Sequence, residues 1–187
     1  MENSAVFKRQ FRRLSKDRES PIAHAYKVYP DGTVQMTNLT RAITLRKFLP
    51  DMEPGVYGAE EKNFPSTIIR YANTPEYAEH TAPVAVADLR KVCKLQSKEK
   101  EHQTFIIREG RLFTRNLSNS PMQESLEMVD EGGAIFTLAI KEIKRLNQLA
   151  DQLEATVVRF TVTGSLKPVF VDVRKDCVVA IAPIRLG

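Results

Sequence analysis

Residues 132–187, GGAIFTLAIKEIKRLNQLADQLEATVVRFTVTGSLKPVFVDVRKDCVVAIAPIRLG, form one supersecondary unit by pattern alone. Gly132-Gly133 breaks the chain, and Ile135, Phe136, Leu138 and Ile140 make a short apolar run. Ile143, Leu146, Leu149 and Leu153 then recur at the three- and four-residue spacing that lines up side chains on one face of a helix. Val157 to Val162 alternates apolar with polar, Gly164-Ser165 turns the chain, Val169 to Val173 alternates again, and Val178 to Ile184 closes after a turn at Asp176. The pattern predicts a strand, an amphipathic helix and then three antiparallel strands.

A helix followed by V-x-F-x-V-x-G-S-L-K-P-V-x-V-x-V and ending in A-I-A-P-I-R-L resembles the last half-domain of the bacterial beta-type DNA sliding clamp. The family's chain closes on a hydrophobic-Pro-hydrophobic-Arg-Leu tail, matched here by Ala182-Pro183-Ile184-Arg185-Leu186 with Gly187 beyond it. The resemblance implies an α+β DNA-clamp fold built of repeated helix-plus-antiparallel-strand units. It also implies a short peptide of a DNA polymerase or other clamp-binding protein docking beside the closing strand, at Ala180, Ile181, Ala182, Pro183, Ile184, Arg185 and Leu186. Ala180 and Ala182 are smaller than the residues clamps usually carry there, which implies a wider or altered cleft.

A chain of 187 residues with 42% hydrophobic content can bury a core for one domain or one and a half. No apolar run reaches the length of a membrane span, and the amino terminus MENSAVFKRQFRRL lacks the apolar core of a signal peptide, so a cytoplasmic location is expected. Cys93 and Cys177 are far apart in or beside apolar segments, which predicts two reduced thiols. The net charge of +5 permits a polyanionic partner without demanding one, so the placement of the charges matters more than their sum.

That placement begins at the amino terminus, where Val6, Phe7, Phe11 and Leu14 share one helical face and Lys8, Arg9, Arg12, Arg13 and Lys16 cover the rest. Ile22 to Tyr29, Thr33 to Thr37 and Ala42 to Phe48 are strand candidates around the Pro30-Asp31-Gly32 turn, so a helix is again followed by three strands. The words D-G-T-V-Q-M-T-N-L also resemble the clamp repeat. Residues 51–83 read as an irregular connector broken by Pro54, Pro65, Pro75 and Pro83, with Thr67 to Tyr71 as one short strand candidate. In clamps a proline-containing link forms one wall of the peptide cleft, and Pro75 is the matching candidate here.

A second basic helix follows: Val84, Val86, Leu89, Val92 and Cys93 form its apolar stripe, while Arg90, Lys91 and Lys94 lie on the other side. Thr104 to Ile107 and Arg111 to Arg115 form a hairpin around Glu109-Gly110, and Leu126 to Val129 a further strand. The helix-plus-strands order therefore occurs three times, at roughly 5–50, 84–130 and 134–187. Residues 1–83 are expected to form a clamp half-domain with its connector, and 84–187 a complete clamp domain. A lone half-unit exposes sheet edges, which predicts a homo-oligomer, and clamp geometry makes that a ring. The short chain fits a phage-encoded, plasmid-encoded or divergent clamp.

The third helix adds Lys141, Lys144 and Arg145. For one helix a basic side is most simply a solvated face, but three such helices in matching positions point to the phosphates of duplex DNA. Contacts of that kind ignore base sequence. The sequence contains no nucleotide-binding glycine loop, no nucleophile elbow and no zinc-protease motif, and its three histidines, His24, His80 and His102, lack metal spacing. The chain is thus expected to catalyse nothing and to need no cofactor or metal. Its expected role is a processivity factor that tethers a polymerase to DNA; the alternative is a clamp-fold regulator, outside any ring, that binds a polymerase, a host clamp or a transcription factor.

Overall fold

The structure, a computed structural model, describes residues 3–16, 21–65, 68, 71, 73–76, 80–95, 102–108, 111–115, 134–164 and 167–182. The chain divides into two compact units, Met1–Thr74 with Asp172–Ala180, and Pro75–Val171 with Ile181–Gly187. The sequence pattern divides it at 83/84, whereas the chain passes between these units at 74/75, 171/172 and 180/181.

The first unit begins with α1 (Asn3–Ser15), whose buried residues Val6, Phe7, Gln10 and Leu14 follow the helical period. Pro21–His24, expected to be extended, is a 3₁₀ turn instead. Proline favours the first position of a helical turn, because it has no N–H to leave unpaired and its φ is already set. Strands β1 (Tyr26–Val28), β2 (Val34–Thr37), β3 (Arg41–Leu45) and β4 (Gly55–Tyr57) form an antiparallel sheet ordered β4-β1-β2-β3. Beyond β3 the order continues with β11 (Cys177–Ile181) and β10 (Val169–Arg174), of which residues 172–180 belong to this unit.

Two turns fix the register of β1, β2 and β3. In the first, the Asp31 carboxylate accepts from the Thr33 backbone N–H and hydroxyl, both at 2.9 Å. Gly32 has φ +76°, and a Cβ there would stand 2.6 Å from Pro50 Cα, so only glycine fits. In the second, Asn38 Oδ1 accepts from the backbone N–H groups of Thr40 at 3.2 Å and Arg41 at 2.9 Å, which carries Leu39 over at φ 71°. Every residue of β2 and β3 is buried. Helix α1 packs on β2, with the Phe7 ring edge-on to Tyr26 at 4.8 Å. Residues Ile68 and Tyr71 accept hydrogen bonds from Gln35 and Thr44. These two connector residues lie in 3₁₀ geometry, not in the strand expected at 67–71; the others of that stretch fall outside the described residues.

In the second unit β5 (His80–Ala85) pairs antiparallel with β9 (Val157–Val162). Here the sequence expectation is corrected: Val84 pairs with Val158 within a strand and does not open a helix. Pro83 is tolerated because β5 lies at the end of the strand order, where a missing N–H breaks no ladder on the free side. Helix α2 (Val86–Leu95) follows, then β6 (His102–Arg108), β7 (Arg111–Arg115), β8 (Ala134–Ala139) and α3 (Ile140–Gln152). The strand expected at Leu126 to Val129 lies outside the described residues.

The second sheet of this unit is ordered β7-β6-β8. Phe105 of β6 stacks on Phe136 of β8 at 5.8 Å, and Phe136 on Phe160 of β9 at 5.5 Å, so the three rings tie one sheet to the other. All three are buried, and each contributes roughly 2–3 kcal/mol by leaving water. Helices α2 and α3 lie side by side, with Leu89, Val92, Ile143, Leu146 and Leu149 buried. Both cysteines are free.

Candidate functional site

A helix that buries one apolar stripe must turn its remaining residues outward, and in each of the three helices those residues include at least three cations. On α1, Lys8, Arg9 and Arg12 are exposed and Arg13 is half-buried, and Lys16 is exposed just past the helix end. The helix contains no acidic residue, and none of the four exposed cations has an ion-pair partner among the described residues. Its positive field is uncompensated from within.

Helices α2 and α3 differ. Arg90, Lys91, Lys94 and Lys141 are exposed, while Lys144 and Arg145 are half-buried. Arg90 Nη2 lies 2.5 Å from Asp151 Oδ1, a pair that ties α2 to α3. Lys91 Nζ lies 3.0 Å from Asp88, one turn earlier. Arg145 Nη1 donates to Glu142 at 2.6 Å, and the two side chains retain only 17% and 7% of their exposure. Lys94, Lys141 and Lys144 have no ion-pair partner among the described residues. The basic residues expected from sequence thus lie on the three helices or, for Lys16, just past the end of one, with Arg145 turned into a nearly dry pair.

Cys93 lies on α2, one turn beyond Arg90. Burial raises its thiol pKa, with the Lys144 ammonium acting to lower it and the Asp151 carboxylate to raise it. Among the described residues no group of histidine, cysteine or carboxylate side chains could hold a metal, and no helix is long and apolar enough to cross a membrane.

Of the residues expected at the partner cleft, Ala180 and Ile181 are buried in β11, Ala182 and Pro75 are half-buried, and Pro183, Ile184, Arg185 and Leu186 lie outside the described residues. Sequence reasoning missed a cavity of about 440 Å³ in the first unit. Tyr29 and Asp31 from the β1–β2 turn, Gln35 and Thr44 from paired strands, and Arg46 and Asn73 line it. Arg46 Nη1 donates to the Lys175 carbonyl at 2.6 Å and Nη2 to Asn73 Oδ1 at 2.8 Å, which holds the guanidinium at the wall. The Tyr29 hydroxyl donates to Gln35, whose Nε2 donates to Thr44 Oγ1 at 3.1 Å. Burial raises the Tyr29 pKa, so the phenol stays protonated and a donor at neutral pH. The size is that of a small-ligand or side-chain pocket. The only sequence signal for it was the Asp31-Gly32 turn, because the lining comes from residues up to 44 positions apart.

No protein-family model matches the sequence, and no curated protein matches it. Solved structures do match in fold. The DNA polymerase III subunit beta of Pseudomonas aeruginosa superposes with a TM-score of 0.66 at 12% identity, over 100% of this chain and 66% of that one. The Bacillus subtilis DNA polymerase sliding clamp gives 0.64 at 15% identity, over 100% and 64%. A Helicobacter pylori beta clamp bound to a DNA ligase peptide gives 0.60 at 9% identity, over 95% and 62%. The chain thus has the α+β sliding-clamp fold and spans about two thirds of the length of these clamps.

Proposed function

We propose that this protein is a non-enzymatic, sliding-clamp-like processivity factor that holds duplex DNA through phosphate contacts and tethers a polymerase or other clamp-binding protein to it. The observation that carries the reading is that α1, α2 and α3 each turn cations outward, in a chain with the clamp fold. Lysine and arginine neutralising phosphates release counterions and read no base edges, which suits a protein that moves along DNA. We assign the phosphate contacts to Lys8, Arg9, Arg12, Lys16, Arg90, Lys91, Lys94, Lys141 and Lys144, and infer a cytoplasmic homo-oligomer that closes into a ring.

The partner's peptide docks at the closing segment, Ala180 to Leu186 with Pro75. Support comes from the resemblance of this segment to the clamp tail and from a clamp of the same fold that was solved with a DNA ligase peptide.

The test is molar mass by light scattering, with and without circular DNA, together with retention on circular against linear duplex. A ring gives a stable oligomer that stays on circles and slides off linear ends. A monomer that ignores DNA and joins a polymerase, a clamp or a transcription factor overturns this reading in favour of a clamp-fold regulator. Removal of residues 183–187 tests the cleft: loss of peptide binding by calorimetry with the thermal melt preserved supports it, and full binding by the truncated chain overturns it.

A further inference from the structure

The Arg90–Asp151 pair is the one ion pair that joins α2 to α3 among the described residues. It is not a stability device of any size. Both side chains are well exposed, at 57% and 42%, and pairs of that kind contribute little. Asp151 also sits in the last turn of α3, where the helix dipole disfavours a carboxylate, and no basic residue of α3 occupies that turn. Its geometry is nevertheless fixed on both oxygens: Oδ1 accepts from Arg90 and Oδ2 from Asn147 Nδ2 at 3.3 Å. The carboxylate is therefore held against local preference, at the guanidinium of an outward-facing arginine. Lys94 stands one turn from Arg90 along α2, and Lys144 two turns from Asp151 along α3.

We propose that Asp151 is an internal stand-in for a DNA phosphate: it occupies the Arg90 guanidinium while the protein is off DNA and yields it to a backbone phosphate on binding. A carboxylate and a phosphate present the same kind of paired anionic oxygens to the guanidinium fork. Each encounter with DNA then exchanges one anion for another at Arg90, where Lys94, Lys141 and Lys144 gain a new one. The consequence is a deliberately weakened contact, since the free energy of the Arg90–phosphate contact is reduced by that of the pair it breaks. A protein that must travel along duplex gains mobility from weak, exchangeable contacts of this sort. Asp151 is a regulating residue, acting through Arg90.

This inference rests on the duplex-binding reading, and the experiment separates the two. Binding of a fluorescent 30-base-pair duplex is measured by anisotropy over a range of salt for wild type, D151N, R90A and the double variant. The amide keeps the shape of the side chain and removes the charge from an unfavourable helix end, so the thermal melt holds or rises. D151N should bind about two- to five-fold tighter, the range expected when an exposed pair no longer competes. Its slope of log K against log salt should stay at the wild-type value, because Arg90 meets the same phosphate in both complexes and only the pair given up off DNA is lost. In the R90A background the same substitution should retain at most a small, long-range effect and leave the slope unchanged. Wild-type binding with no change in D151N, or the full gain persisting without Arg90, overturns the inference alone. Wild type that shows no salt-dependent binding overturns the duplex reading and this inference with it.

Discussion

Helices α1 and α3 each run 13 residues and each turns a basic side outward, but α1 carries no acid, whereas α3 carries Glu142 and Asp151, the first paired with its own Arg145 and the second with Arg90 of α2. Helix α1 contains no acid, and Lys8, Arg9 and Arg12 on it, with Lys16 just past its end, have no ion-pair partner among the described residues. On α3, Glu142 holds Arg145, and Asp151 reaches across to Arg90 of α2. A tally of lysines and arginines, four on α1 and three on α3, sets the helices only one cation apart. Their capacity to neutralise phosphate differs, because a cation already facing a carboxylate must give that contact up first.

The largest expected effect therefore belongs to α1. Replacing Lys8, Arg9, Arg12 and Lys16 with alanine should lower the salt slope of duplex binding by about 3.6 and affinity by about 100-fold at low salt. All four are exposed, so the melt should be unaffected. An unchanged slope in the anisotropy titration would break the comparison at its stronger side.

On α3 the expected change moves from binding to stability. R145A breaks a nearly dry pair with Glu142, which is 5% exposed, and should cost about 2 kcal/mol in denaturant unfolding while the salt slope stays near wild type. R90A removes a pair that is mostly wet and should cost under about 1 kcal/mol. Equal losses from the two variants would show that burial does not distinguish the pairs.

The cysteines extend the contrast between exposed and withdrawn groups. Burial pushes the Cys177 thiol far above the range in which thiolate forms, whereas Cys93 is half-buried and raised less. Alkylation at pH 8 followed by mass spectrometry should give slow modification of Cys93 and none of Cys177 until denaturant is added. Rapid labelling of both would contradict the packing of β11.

The smallest effect concerns Asp31. Its hydrogen bonds from Thr33 hold the carboxyl pKa below the ordinary value, so the folded state favours the charged form. The stabilisation is present above the unfolded-state pKa and is lost as pH falls through the folded one. D31N should remove a small part of the acid sensitivity and leave stability at pH 7 lower by a few tenths of a kcal/mol, as expected for an exposed turn. An NMR titration that places Asp31 at or above the ordinary carboxylate value would refute this.

Much of the fold was legible in the chain. The spacing of Ile143, Leu146 and Leu149 on α3, the alternation in β9 and β10, and the Asp31-Gly32 turn each encode a local periodicity or a backbone conformation, and local rules suffice to read them. The basic sides of all three helices were legible for the same reason. Other features depended on what the packed chain brings together. Pro83 sits in a strand only because β5 is an edge, and Pro21 opens a turn where alternation suggested extension. Arg90 meets Asp151 across 61 positions of sequence, and the lining of the 440 Å³ cavity gathers from Tyr29 to Asn73. Periodicity states which face of an element turns inward, and so the sequence determined the elements and where their charges lie. Which charge meets which, and how dry the meeting place is, follow from distances between elements, and those exist only once the tertiary structure has formed.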